Sequence, residues 1–176
     1  MSLNASKTKS INISICFNIS STEPLTIKNT KIEDVSEFKL LGVTVDRHLS
    51  FATHVENVFQ KSRSKLHALL VLKRHGVSTE GLIRFYQANI RSGIIYAAPA
   101  WFSFLTDYSR KSIESIQRQC LPVTFPDLSY EEHLSRAAMT PICEYLDTIC
   151  SSFVLSVAIS ETNRLKHHLP VRQSDI

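Results

Sequence analysis

Glycine is scarce in this sequence, with four among 176 residues, and no glycine-rich phosphate loop is present. The sequence also has neither the GxSxG motif of serine hydrolases nor the HExxH motif of zinc proteases. His48 and His54 flank a predicted helix start, but no third metal-binding side chain accompanies them in the sequence. The residues therefore indicate no catalytic residue, no metal site and no cofactor in this chain.

Long apolar runs are also missing. The longest nearly apolar stretch covers residues 92–102, contains Pro99 and is shorter than the roughly 20 residues that a membrane-spanning helix needs. Residues 10–20 alternate apolar with polar side chains, unlike the continuous apolar segment of a secretory signal. The four cysteines form no CxxC pair and show no zinc-site spacing, which is typical of reduced, buried thiols. We expect an intracellular protein, cytoplasmic or nuclear, with no membrane partner.

Charge is nearly balanced, with 20 lysines and arginines against 16 aspartates and glutamates. The basic excess is local, because seven basic residues and one acidic residue lie between positions 61 and 91. Lys61 and Lys65 share one face of a predicted helix, and Lys73 and Arg74 lie at its C-terminal end, where the helix dipole favours cations. Two interpretations stay open: a solvated helix with a favourable end, and a face that contacts nucleic-acid phosphates.

The first third of the chain has the period-two pattern of β-strands. Apolar side chains alternate over residues 11–19, which predicts a half-buried strand. Residues 25–35 predict a short hairpin around Asn29, and residues 37–46 predict a further strand that breaks at Gly42. Together these segments indicate a small antiparallel sheet.

After residue 50 the apolar period becomes helical. A first helix is predicted from Ser50 to His75, with Gly76 as the residue that follows its end. Ser78 is predicted to cap a second helix, which residues 92–93 interrupt or bend.

Three more helices are predicted towards the C-terminus. Thr106 caps a helix that Pro122 ends, and Ser129 with Glu132 has the spacing of a capping box. Residues 140–141 predict a cap followed by proline at the first helical position.

These elements predict an α+β fold, with a small N-terminal antiparallel sheet followed by a mainly α-helical bundle. We expect three parts, with strands in residues 1–47, helices in residues 48–163 and a loose polar tail in residues 164–176. The sheet starts abruptly and lacks neighbouring strands, so we expect the chain to be the C-terminal part of something larger.

A resemblance to a known family is carried first by residues 38–58, which read FKLLGVTVDRHLSFATHVENV. They resemble the segment after the polymerase palm in reverse transcriptases of non-LTR (LINE-like) retrotransposons. The family pattern is Phe-Lys-Tyr-Leu-Gly-Val, then Leu-Ser-Trp, then a helix with a histidine. Residues 3–9, LNASKTK, resemble the Leu-Asn-x-x-Lys-Thr element of that palm. Further matches follow in the family's order: LKRHGVS, FYQANIRSGIIYAAPAW, IESIQRQCL, FPDLSYEEHL and HHLP.

The resemblance implies that residues 1–47 are the end of the palm and the primer-grip strands, and that residues 48–163 correspond to the thumb. In that family the Leu-Gly corner is a hairpin whose backbone approaches the 3′ end of the growing strand. Gly42 has no Cβ, so the backbone there can turn sharply and approach a ligand, although a packing glycine at a strand bulge is the alternative. The residues implied to contact nucleic acid are Lys39, Leu41, Gly42, Lys61, Lys65, Lys73 and Arg74. The implied partners are an RNA–DNA template–primer duplex and the missing palm and fingers.

Lys7 matches the lysine of the palm element, a position linked in the family to proton transfer beside a metal-bound nucleotide. The family's catalytic aspartates lie upstream, and no Ala-Asp-Asp turn occurs in this sequence. Two-metal catalysis needs those carboxylates, so Mg²⁺ is expected only in the complete polymerase. The resulting hypothesis is a non-catalytic fragment that binds nucleic acid weakly and without sequence specificity.

Two alternatives stay open. The same segment is related to the N-terminal domain of AlkB homologues, which suggests a domesticated protein-interaction module, although no His-x-Asp…His iron triad is readable here. The other alternative is an inert relic of a retroelement reading frame.

Overall fold

The computed structural model describes residues 4, 7–14, 24–27, 29–160 and 162–168. Short strand pairs occupy the N-terminal part of the described chain and helices occupy the rest, which confirms the α+β fold class. The division into three parts stays a prediction. The segment predicted as a loose tail begins with a 3-10 helix, Arg164–His168, and continues outside the described residues.

Short strands pair in twos. In the described part of the chain they are β1 (Lys9–Ser10), β2 (Thr26–Ile27), β3 (Thr30–Lys31), β4 (Glu33–Asp34), β5 (Glu37–Leu40) and β6 (Val43–Asp46). β2 pairs with β3 in an antiparallel fashion, which confirms the hairpin around Asn29, and β5 pairs likewise with β6. β1 pairs with β4 in parallel, so the described strands form three separate pairs instead of one continuous antiparallel sheet.

The strand predicted over residues 11–19 is not formed in its described part, and the remainder lies outside the described residues. The carbonyl of Ser10 accepts the N–H of Val35, whereas the N–H of Ser14 bonds to the carbonyl of Arg47, each at 2.9 Å. Because these partners belong to different segments, no strand ladder continues from β1 through residues 11–14.

The segment predicted as one strand over residues 37–46 is a β-hairpin. Leu40 pairs with Val43, which leaves a two-residue loop with φ of 47° at Leu41 and 90° at Gly42. Positive φ at both loop residues is typical of tight hairpins, since the twist of such turns matches that of the strands. Glycine adopts this backbone without the steric cost that a Cβ brings.

Helices make up most of the described chain from residue 52 onwards. They are α1 (Ala52–Arg74), α2 (Thr79–Phe85), a π-helical segment (Tyr86–Arg91), α3 (Ser92–Ile95), α4 (Asp107–Thr124), α5 (Tyr130–Ala137) and α6 (Ile142–Ile159). Short 3-10 helices, Ala98–Ala100 and Phe102–Phe104, connect α3 to α4.

Several predicted helix ends are confirmed by their hydrogen bonds. The hydroxyls of Ser78 and Thr106 each accept a backbone N–H from the following turn, at 3.2 and 3.3 Å. Ser129 and Glu132 form both hydrogen bonds of the predicted capping box. Gly76, with φ of 77°, follows the end of α1 as predicted.

Residues 92–93, which were predicted to interrupt or bend the second helix, begin a separate short helix, α3, directly after the π-helical segment. Two other predicted boundaries are wrong. α4 continues past Pro122 to Thr124. Pro141 precedes α6 as its N-cap, because its extended ψ of 138° keeps it outside the helix.

Burial explains why α4 extends past its proline. A proline inside a helix costs about 3 kcal/mol, because it lacks an N–H and crowds the preceding turn. Leu121 and Val123 flank Pro122 and are buried in the core. Each such side chain contributes about 1.5–3 kcal/mol when removed from water, which offsets the cost of the proline.

The hairpin and the helices share one hydrophobic core. Val43 of β6 joins Leu69, Tyr86, Trp101 and Ile113 in the same buried cluster. α1 packs against both α4 and β6, and the bond from the N–H of Thr44 to His54 places the hairpin beside the N-terminal half of α1.

One helix in the described part of the chain, α6, has the length and apolar composition to cross a membrane. Its mean hydropathy is 1.5 and 22% of its residues are buried. Phe153, Leu155 and Ile159 in its C-terminal half are exposed. Core helices of soluble proteins also meet these length and composition criteria, so the finding is weak evidence for a membrane span.

Candidate nucleic-acid interface

Tyr96 fixes the turn of the hairpin. Its hydroxyl donates a hydrogen bond of 2.8 Å to the carbonyl of Leu41. Its ring lies against Gly42, where an added Cβ would be 3.2 Å from the Cε1 atom. The side chain of Leu41 is 84% exposed, so the turn presents an apolar tip to solvent.

The two strands of the hairpin have different environments. All four residues of β5 are exposed, including the predicted contact residue Lys39. Val43 and Thr44 at the start of β6 are buried against the helices. β5 is therefore the strand that a ligand could reach.

Asp46 joins the end of the hairpin to the start of α1. Its carboxylate accepts the backbone N–H groups of His48, Ser50 and Phe51 at 2.9, 3.1 and 2.7 Å. Burial raises the pKa of the Asp46 carboxyl, but the hydrogen bonds from the backbone of Ser50, Phe51 and His48 together lower it by more. The pKa of Asp46 is therefore below its ordinary value of 3.8. Phe51, the N-cap of α1, makes no side-chain cap, so Asp46 accepts the N–H of Phe51 itself and the hydroxyl of Ser50 accepts that of Ala52 at 3.3 Å.

His54 is a buried structural side chain. Its Nδ1 accepts the N–H of Thr44 at 3.4 Å, and its ring meets that of Trp101 edge-on, with 5.0 Å between the centroids. Burial lowers the pKa of His54, and the positive charge of Lys61 lowers it further. Within the described residues, no three His, Cys, Asp or Glu side chains lie close enough together to hold a metal ion.

The predicted basic residues of α1 divide into two groups. Lys61 is exposed, whereas Lys65 is half-buried and donates a hydrogen bond to the carbonyl of Asn89 in the π-helical segment. Lys73 and Arg74 lie at the other end of α1, about 18 Å along its axis from Lys61 at 1.5 Å per residue.

A recess of about 250 Å³ brings three of the predicted residues together. Its lining includes Gly42, Lys61, Lys65, Gly93 and Tyr96. None of the residues that line it is an aspartate or a glutamate.

The remaining predicted residues lie elsewhere. Lys39 is on β5, Lys73 and Arg74 are at the end of α1, and Lys7 is in the N-terminal segment, so none of them lines the recess.

Other basic residues of the predicted cluster already have intramolecular partners. Arg84 forms an ion pair with Glu80 at 2.6 Å. The guanidinium of Arg91 lies 4.1 Å from the centroid of the Tyr145 ring. Sequence reasoning counted both arginines in the basic cluster, but only the packed structure shows that they are engaged.

Sequence reasoning also missed two residues that shape the site. Asp46 had a local signal, because an aspartate shortly before a helix start often accepts free backbone N–H groups. Tyr96 had no such signal, since it meets Leu41 across 55 residues of chain.

Comparisons with known proteins add one finding. No family model matches this sequence, and no solved structure is significantly similar to it. The RNA-directed DNA polymerase from mobile element jockey of Drosophila funebris is 27% identical to it over 96 residues. Half of the chain is related to a retroelement polymerase. The alignment covers 50% of this chain and 10% of that polymerase. The place of the chain within such a polymerase and its link to AlkB homologues stay predictions.

Proposed function

We propose that this chain is a non-catalytic part of a retroelement RNA-directed DNA polymerase, comprising the end of the palm, the primer grip and the thumb. Its role is to bind an RNA–DNA template–primer duplex, weakly and without sequence specificity. The recess beside the 41–42 turn carries the proposal, because Lys61 and Lys65 there adjoin an exposed hairpin. The similarity to the jockey polymerase supports the retroelement origin.

The distribution of charge suits contacts with phosphates. Lys39, Lys61 and Arg74 are exposed on the hairpin and along α1, and among the described residues none of them forms an ion pair with a carboxylate. Lys61 and Lys73 lie about 18 Å apart along the axis of α1 and about 120° apart around it, so they would contact different phosphates. Such contacts position a duplex without reading its sequence.

The proposal assigns binding and no chemical step to this chain. In a complete polymerase the carboxylates that hold Mg²⁺ belong to the upstream palm, and Lys7 would act only beside the nucleotide bound there. The described residues bring no group of three metal-binding side chains together.

Salt-dependent binding tests the proposal. The affinity of the purified chain for an RNA–DNA hybrid is measured across a salt series, for the wild type and for Lys39→Glu/Lys61→Glu. Both lysines are exposed, so the double variant is expected to fold. The logarithm of the affinity should fall steeply with the logarithm of the salt concentration, and the slope should drop by roughly 1 for each lost phosphate contact.

A control with the same change of charge is Lys111→Glu/Arg136→Glu, whose exposed residues lie on α4 and α5 and do not line the recess. It should retain most of the wild-type salt slope. A folded wild-type chain that binds no hybrid at low salt would contradict the proposed function.

A second candidate function is a protein-interaction module. The exposed side chains of Phe153, Leu155 and Ile159 in the C-terminal half of α6 favour it, because apolar surface of this kind often marks contacts between proteins. Hybrid binding with a steep salt dependence favours the first candidate. A cooperatively folded chain without such binding favours the second.

A further inference from the structure

The recess beside the turn is concave and carries uncompensated positive charge. Lys61 and Lys65 line it, whereas no carboxylate does. Val58 and Ile90 contribute apolar surface to the same recess. A cleft lined by one sign of charge focuses the electrostatic field and attracts small ions of the opposite sign.

Lys65 is held in place by the helix that faces it. One N–H of its ammonium group bonds to the carbonyl of Asn89, and the group has three such donors, so two remain for a ligand. Gly93 keeps the space beside this ammonium open, because an added Cβ there would be 3.6 Å from the Nζ atom. Burial lowers the pKa of His54, and the positive charge of the neighbouring Lys61 lowers it further.

We propose that the recess binds a terminal phosphate group, that is, a phosphate monoester at a strand end or free phosphate. This inference rests on the proposed function, since the bound duplex would supply the strand end. A phosphate monoester carries a charge of about −1.5 to −2 at neutral pH, which matches two ammonium groups. A phosphodiester inside a duplex carries a single charge, so the recess should bind a phosphate at a strand end more tightly than a phosphate within the duplex.

The test compares three RNA–DNA hybrids of one sequence, whose DNA strand has a 5′-phosphate, a 3′-phosphate or hydroxyls at both ends. We expect one phosphorylated hybrid to bind on the order of tenfold more tightly than the hydroxyl-ended one. A parallel titration with inorganic phosphate identifies free phosphate as the ligand if it abolishes this preference at low concentration.

Two variants remove the site by different means. Lys61→Gln removes one charge, and Gly93→Leu fills the space beside Lys65 without a change of charge; both should abolish the preference for a phosphorylated end. Matched controls are Lys111→Gln, at an exposed position on α4, and Ser92→Leu, on the same helix as Gly93. Neither control residue lines the recess, so both variants should keep the preference.

The outcomes separate this inference from the proposed function. Equal affinity for all three hybrids, with steep salt dependence retained, overturns the terminal-phosphate site and leaves duplex binding standing. A preference that survives Gly93→Leu overturns the site as well. Binding of inorganic phosphate that Lys61→Gln abolishes, without binding of any hybrid, supports the site and contradicts the proposed function.

Discussion

The hydroxyl of Tyr96 donates a hydrogen bond to the carbonyl of Leu41 across 55 residues of chain. Tyr96 directly follows α3, so this bond joins the turn of the hairpin to the helical part of the protein. The turn forms one edge of the recess that Lys61 and Lys65 line. The position of the exposed hairpin relative to the basic side of α1 therefore depends on this bond as well as on the burial of Val43 and the bond from Thr44 to His54.

Tyr96→Phe should destabilise the protein by about 0.5–1 kcal/mol, because it removes one hydrogen bond at a half-exposed site. The free energy of unfolding in urea measures this loss. Tyr108→Phe is the matched control, since its ring is 82% exposed. Equal losses in the two variants would show that the bond to Leu41 contributes nothing to stability.

Gly42→Ala should cost about 1–2 kcal/mol, because alanine is strained at a φ of 90° and its Cβ would lie 3.2 Å from the ring of Tyr96. In a Tyr96→Ala background the crowding disappears and only the backbone strain remains, so the cost should fall. Gly93→Ala is the control, since its Cβ meets only Lys65 at 3.6 Å. A neutral Gly42→Ala variant would mean that the turn does not require glycine.

His54 should make stability depend on pH. Its pKa in the folded protein is below 6.5, because burial and, to a smaller extent, the positive charge of Lys61 disfavour the charged ring. The unfolded chain therefore binds a proton at His54 more tightly than the folded protein does. The contribution of neutral His54 to the free energy of unfolding is complete above about pH 6.5 and is lost as the pH falls towards the pKa of the folded protein. The free energy of unfolding of the wild type should decrease over this range.

His54→Gln keeps a hydrogen-bond acceptor for Thr44 and should flatten this pH dependence. The exposed His67 is the control position, and His67→Gln should retain the wild-type profile. An unchanged profile in His54→Gln would exclude His54 as its source.

Tyr86→Phe should leave the protein equally stable or stabilise it by up to about 1 kcal/mol. Tyr86 is fully buried, and its hydroxyl has no hydrogen-bond partner among the described residues, so it loses contact with water without compensation. Thermal and urea unfolding measure the difference.

Tyr130→Phe provides the contrast to Tyr86→Phe. The hydroxyl of Tyr130 bonds to the carboxylate of Glu114 and, at 3.1 Å, to Gln117. Its removal takes a donor from the half-buried carboxylate of Glu114 and should cost about 1–3 kcal/mol. Similar effects of the two variants would indicate that Tyr86 has a partner as well.

Features formed by neighbouring residues were readable from the sequence. The caps at Ser78, Thr106 and Ser129 and the glycine after α1 formed as predicted, because each is completed within a few residues of chain. The shared face of Lys61 and Lys65 likewise follows from the helical period alone.

The site itself depended on contacts that no local pattern contains. The recess needs a hairpin turn, one face of α1 and the residues around Gly93 to meet, and these come from three distant parts of the chain. The sequence singled out lysines and a glycine there, but no local pattern indicated that Tyr96 would contact the turn.

Helix ends show the same division. Pro141 cannot cap α6 with its side chain, and the carboxylate of Glu114 instead accepts the N–H of Cys143 at 3.1 Å from 29 residues away. α4 continues past Pro122 because the buried side chains around it outweigh the local cost of proline. Residue type and spacing thus decided which segments became helices or hairpins, since those preferences act over a few residues. Which side chains met, and which basic residues remained free for a ligand, was decided by burial and long-range hydrogen bonds in the folded chain.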